Sequence, residues 1–195
     1  EIVAAAVAAV VMAIAVHGWM FRKTSAAYIA ALPVTREALL ISSMLAALTL
    51  LILPCIIAML VSLLLYGGGL LWTPYLLCSA AAVVLMNIAF FGLASFCTVF
   101  TGNAAVLPAL YVIALYGFVG IEVVTRYIAE FLLFGVRGTG WELAVLSPVY
   151  YFSNNYLGSY SHAIPLTAIY AAAGVILAGL AVIFFRHRRM EAAGE

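Results

Sequence analysis

Aspartate does not occur in the 195-residue chain, and charge of either sign is scarce: eight Lys and Arg with seven Glu make up 8% of it, against 68% hydrophobic residues. A soluble domain carries roughly 25% charged residues. So few charges cannot coat even one water-soluble domain, and soluble enzyme folds are excluded. The lack of aspartate removes the acidic pair of an intramembrane aspartyl protease. A net charge of +1 provides no field for nucleic acid, whose binding rests on many phosphate-neutralising cations. Cys55, Cys78 and Cys97 are an odd set inside apolar runs, with neither zinc spacing nor a disulfide pattern, and read as small buried hydrophobes. There is no His-Glu-x-x-His, no Gly-x-Ser-x-Gly and no Gly-x-x-x-x-Gly-Lys-Ser/Thr, so the chain is not expected to act as an enzyme, to bind a cofactor or to hold ATP itself. It opens on Glu1 without the basic flank of a signal peptide and reads as a segment of a longer polypeptide.

What the chain has is long apolar runs. A helix needs about 20 mostly apolar residues to cross ~30 Å of hydrocarbon, because lipid offers no partner to free backbone groups. Residues 2–20, 38–65, 74–100, 104–121 and 163–185 meet this demand, so the expected fold is all-α, a polytopic membrane protein with five spans in a single transmembrane domain covering residues 1–195. The second span is long enough to tilt or kink, and Pro54 near its middle supplies a cause.

The polar connectors complete the layout. Residues 24–37 contain an alanine-rich stretch that favours a short helix, and Pro33 ends it by disfavouring helical geometry at Leu32. Thr35 then caps the second span, with Glu37 in its favourable first turn. Gly67 to Gly69 and Thr101-Gly102-Asn103 read as turns. Residues 122–162 form the longest polar interval. In it Glu122, Arg126 and Glu130 recur every four residues as one polar helix face, and the Tyr-rich tract that follows suits the headgroup belt. This is the pattern of a helix lying at the interface. Arg22, Lys23, Arg36, Arg186, Arg188 and Arg189 share one side of the five-span layout, leaving Arg126 and Arg137 on the other. The positive-inside rule makes the first group, and the carboxyl terminus, cytoplasmic. His17, His162 and His187 then fall on both sides and cannot converge on one metal.

Within the spans, Asn87 is the strongly polar side chain deepest in lipid. It reads as an interhelical hydrogen-bonding group or as a candidate for a translocation path. His17, beside Gly18 and Trp19, reads as an interfacial histidine. Ala4 with Ala8, Ala5 with Ala9, and Ala171 with Gly174 and Ala178 form small-residue stripes that allow close helix approach, within one subunit or across a dimer seam.

The layout resembles the permease subunit of ABC-2 class ABC transporters. The resemblance rests on Leu32-Pro33-Val34-Thr35-Arg36-Glu37, similar to a Leu-Pro-(Val/Ile)-(Ser/Thr)-Arg element of many such permeases, on the long external interval before the last span, and on the basic, acidic and glycine-containing ending from Arg186 to Glu195. Members have six membrane helices, so the first would be missing here. The resemblance implies that residues 24–37 form a coupling helix docked in a cytoplasmic ATPase subunit. Tyr28, Ile29 and Leu32 would fill an apolar notch, Arg22, Lys23 and Arg36 would pair with acidic groups on the partner, and Pro33 and Glu37 complete the coupling set. It further implies that ATP and Mg are held by that partner, that a second or related permease completes the path, and that the home is the bacterial plasma membrane, with lipid around the chain. The rival readings are an ATP-independent carrier or channel, and a non-transporting scaffold or sensor.

Overall fold

The computed structural model describes residues 2–21, 25, 34–65, 73–101, 103–133, 143–155 and 160–187. Each apolar run forms one helix. α1 (Ile2–His17) ends in a tightened 3₁₀ turn, Gly18–Phe21. α2 (Arg36–Leu65), α3 (Thr73–Phe100) and α4 (Val106–Leu132) follow. A 3₁₀ turn, Leu143–Leu146, leads into the short α5 (Pro148–Asn155), and α6 (Tyr160–His187) is the last element. Five segments, Ile2–Phe21, Glu37–Leu65, Leu76–Phe100, Val106–Leu132 and Ile164–Arg186, are long and apolar enough to cross a membrane. The described residues contain no strand, so the fold is all-α.

The start of α2 follows from local chemistry. Thr35 Oγ1 accepts the Ala38 N–H at 3.4 Å and the Thr35 carbonyl accepts from Leu39 at 3.2 Å, which satisfies donors left free at a helix start. Pro54 lies inside this helix, and it withholds the N–H that the Leu50 carbonyl would otherwise receive. Between α3 and α4 the Asn103 side chain accepts the Ala105 N–H at 3.0 Å, fixing the expected turn.

α4 departs from expectation. Its apolar part was expected to end at residue 121, with a separate interfacial helix after it, but one helix continues to Leu132. Nothing in the sequence from Ile121 to Leu132 breaks a helix, and Arg126 Nη2 donates to Glu122 Oε1 at 3.0 Å, neutralising the first polar step. At ~1.5 Å per residue the helix is ~40 Å long, longer than the ~30 Å hydrocarbon layer, so its last turns tilt or project.

α3 is the centre. It packs on α1, α2 and α4, and most extensively on α6. Phe90 and Phe91 of α3, Leu40 of α2, Leu107 of α4 and Phe185 of α6 are fully buried. The outer faces of α2 and α4 instead present Leu45, Leu53, Ile57, Ile113, Ile121 and Phe131, as suits a helix whose solvent is hydrocarbon.

α3 and α6 meet through glycine. A Cβ built on Gly92 would lie 2.8 Å from the Gly174 Cα and closer still to its carbonyl, and one built on Gly174 would lie 2.6 Å from the Ala89 Cα. Close backbone approach replaces the hydrophobic drive that lipid cannot provide. The small residues Ala171 and Gly174 thus serve packing within the chain. On α1 the buried face is Ala6, Ala9, Ala13 and His17, while Ala4 is exposed and Ala8 only half-buried, so the expected Ala4 and Ala8 stripe is not the contact face.

Candidate functional site

One end of the bundle gathers the close of α1, α3 and α6 and the start of α2. There Trp19 packs edge-on against Phe185 with ring centres 6.0 Å apart, and Phe100 meets Phe184 at 5.4 Å. At the same end Arg186 Nε stands 3.5 Å from Glu37 Oε1. This contact joins the two sequence elements expected to matter: the segment closing on Arg36-Glu37 and the basic cluster opening at Arg186.

Of the expected coupling residues, Tyr28, Ile29, Leu32 and Pro33 lie outside the described residues, as do residues 66–72 with the Gly67 to Gly69 turn, Arg137, Tyr156 and the tail beyond His187. Arg36 begins α2 and Glu37 sits in its first turn. Val34 and Thr35 are exposed just before it. Ser25, near the other edge of the same element, lines a cavity of about 440 Å³ with Ile14, Gly18, Trp19, Phe21 and Ala104. The described margins of residues 24–37 therefore both border this end of the bundle.

Asn87 is buried between α3 and α2. Its Nδ2 donates to Cys55 Sγ at 3.4 Å and to the Val83 carbonyl of its own helix at 3.1 Å. Cys55 is thus an acceptor as well as a small hydrophobe. It and Cys78 are half-buried, Cys97 is buried, and all three are free thiols.

His17 is not at a wet interface. It is wholly buried, its ring is stacked 6.2 Å from that of Phe91, and Nδ1 lies 3.1 Å from the Ala13 carbonyl, while Nε2 has no hydrogen-bond partner. The reason is geometric: His17 continues the Ala6, Ala9 and Ala13 face, and the alanines bring α1 close enough to α3 to enclose the ring.

The opposite end is closed by the 3₁₀ turn and α5. Tyr170 Oη of α6 donates to the Val145 carbonyl, and Phe152 packs edge-on against Tyr170 at 6.1 Å. Phe152 also borders a small cavity with Ile2, Ala5, Ala82, Met86 and Thr167. Among its described residues, the interval before the last span thus holds one short helix, α5. The Tyr170 tie and the Gly92 to Gly174 crossing were not read in the sequence. The small residues Ala89 and Gly92, three apart on α3, were the available signal for the crossing.

No family model, curated protein or solved structure matches the chain. Among the described residues, two polar groupings bear on the expected site: the Glu37 and Arg186 end, which is exposed and charged, and the Asn87 seam, which is enclosed. The first suits docking of a protein partner through complementary charge. The second suits helix specification.

Proposed function

We propose that the chain is the membrane-spanning subunit of an ATP-driven exporter of the ABC-2 class, set in a bacterial plasma membrane with the Glu37 and Arg186 end in the cytoplasm. A separate ATPase subunit holds ATP and Mg and grips residues 24–37. A second permease, identical or related, completes the path. The observation that carries the reading is the 3.5 Å approach of Arg186 to Glu37 at one end of the bundle: Glu37 closes one motif behind the family resemblance and Arg186 opens the other. Force applied there enters α2 at its first turn, and α2 packs on both α3 and α6. The Asn87 contact with Cys55 lies on that route, roughly 30 Å of helix beyond Arg36.

The test is reconstitution of the chain in liposomes with its cognate ABC ATPase. ATPase activity is expected to rise on adding the chain and to return to the level of the lone ATPase in Leu32→Asp and Arg36→Glu. Unchanged stimulation in both variants overturns the coupling assignment, and cargo movement without any ATPase points to an ATP-independent carrier.

A further inference from the structure

Between α2 and α6, over α3, runs an apolar groove of about 440 Å³. Ile41, Leu45 and Leu48 wall it on α2, Val175 and Val182 on α6, and Gly92 and Gly174 floor it. Ile41, Leu45 and Val175 are well exposed, so it opens sideways, toward lipid rather than toward the bundle axis.

Three observations define what fits. The first is length. One turn beyond Ile41 stands Glu37, and one turn beyond Val182 stands Arg186, so the 3.5 Å ion contact lies just past one end of the groove and marks its mouth. From Arg186 to Gly174 is ~18 Å at ~1.5 Å per residue, close to the ~15 Å depth of a single leaflet. The second is charge. The Arg186 side chain is 73% exposed against 47% for Glu37. Glu37 meets one edge of the guanidinium, which leaves other donors for the oxygens of a phosphate. The third is Gly179, which also lines the groove. Gly92 and Gly174 are forced by backbone contact, but a Cβ on Gly179 would meet nothing within 4 Å. The missing side chain there leaves the trough open and makes no helix contact.

We propose that this groove binds one acyl chain of an anionic phospholipid, from the leaflet on the Arg186 side, with the lipid phosphate on the Arg186 guanidinium. The occupant is an amphiphile because the trough is apolar along its whole length and charged only at its mouth. The proposal does not depend on the transport reading, since it requires only that the helices cross a membrane.

The probe is native mass spectrometry of the full chain released from vesicles of phosphatidylglycerol and phosphatidylcholine in equal parts. The wild-type chain is expected to retain one phosphatidylglycerol in preference to phosphatidylcholine by roughly five-fold, the factor one surface cation contributes toward anionic lipid. Gly179→Leu, which has room for its side chain, is expected to abolish that retention at an unchanged melting temperature. Val175→Trp, which fills the trough from its exposed wall, gives the same reading should the first variant fold poorly. Arg186→Gln is expected to keep a bound lipid but bind the two kinds equally. Wild-type retention in both Gly179→Leu and Val175→Trp overturns the proposal. So does a dimer that these substitutions dissociate while lipid retention stays unchanged, which would make the groove a contact between copies.

Discussion

The backbone of Gly174 occupies the space in which a side chain on Gly92 would stand: the Gly174 Cα is 2.8 Å from the position of a Cβ there. The requirement is mutual, since a Cβ on Gly174 would lie 2.9 Å from the Ile88 carbonyl oxygen. Backbone cannot retreat as the tip of a flexible side chain can. Among the described glycines, Gly92 and Gly174 are therefore the two that backbone contact fixes, and α1, α2 and α4 also pack on the α3 half of this crossing.

Alanine at either position is expected to destabilise the chain by ~1–3 kcal/mol through overpacking. Gly117 and Gly120 of α4 are the controls, because a Cβ on either meets nothing within 4 Å. There alanine is expected to be neutral or to gain up to ~1 kcal/mol from helix propensity. Thermal unfolding of the purified variants, followed by circular dichroism, separates the two pairs.

Asn87 and Cys55 are expected to act as a weakly coupled pair. Asn87→Leu removes the donor to Cys55 Sγ, and a thiol is a weak acceptor. The cost should be ~0.5–1 kcal/mol, within the range of interhelical hydrogen bonds in lipid. Unfolding of both single variants and of the double variant with Cys55→Ala should show a coupling energy near ~0.6 kcal/mol. Additive effects would mean that the contact contributes nothing.

Tyr170→Phe is expected to loosen the closed end of the bundle while leaving the spans intact. It removes the donor to the Val145 carbonyl but keeps the ring against Phe152, a loss of ~0.5–1.5 kcal/mol. Faster amide exchange confined to residues 143–155, with exchange in α3 unchanged, is the expected signature.

The Glu37 and Arg186 contact is expected to matter little for stability and more for coupling. Both side chains are substantially exposed, and such pairs contribute at most ~1 kcal/mol. Glu37→Lys should leave the melting temperature nearly unchanged yet lower ATPase stimulation in the reconstituted pair, and adding Arg186→Glu should restore part of it. A stimulation unaffected by the single change would detach this contact from coupling.

Much of the fold was legible because lipid enforces a simple rule: a span must be long, apolar and helical. Residues 2–20, 38–65 and 74–100 announce themselves this way, and Thr35 marks the start of α2 through its hydroxyl. The end of α4 was not legible. Glu122, Arg126 and Glu130 suggested a polar break, yet an ion pair within one helix costs no backbone bond, so the helix runs on to Leu132. His17 misled for a related reason. A histidine beside Trp19 looks interfacial until its place on the alanine face is seen. The Gly92 and Gly174 crossing joins residues far apart in sequence, and its signal on α3, the pair Ala89 and Gly92, is shorter than the Ala171, Gly174 and Ala178 stripe on α6. The Tyr170 tie is to a backbone carbonyl, which carries no sequence signal at all.

The most direct test of the central claim is the side of the membrane on which each end of the bundle lies. Cys55, Cys78 and Cys97 are first replaced by alanine, and Thr35→Cys and Tyr150→Cys, both at exposed positions, are made separately. A membrane-impermeant maleimide is predicted to label Tyr150→Cys in intact cells and Thr35→Cys only after the membrane is opened. Labelling of Thr35→Cys from outside intact cells would contradict the account, since no cytoplasmic ATPase could then reach residues 24–37.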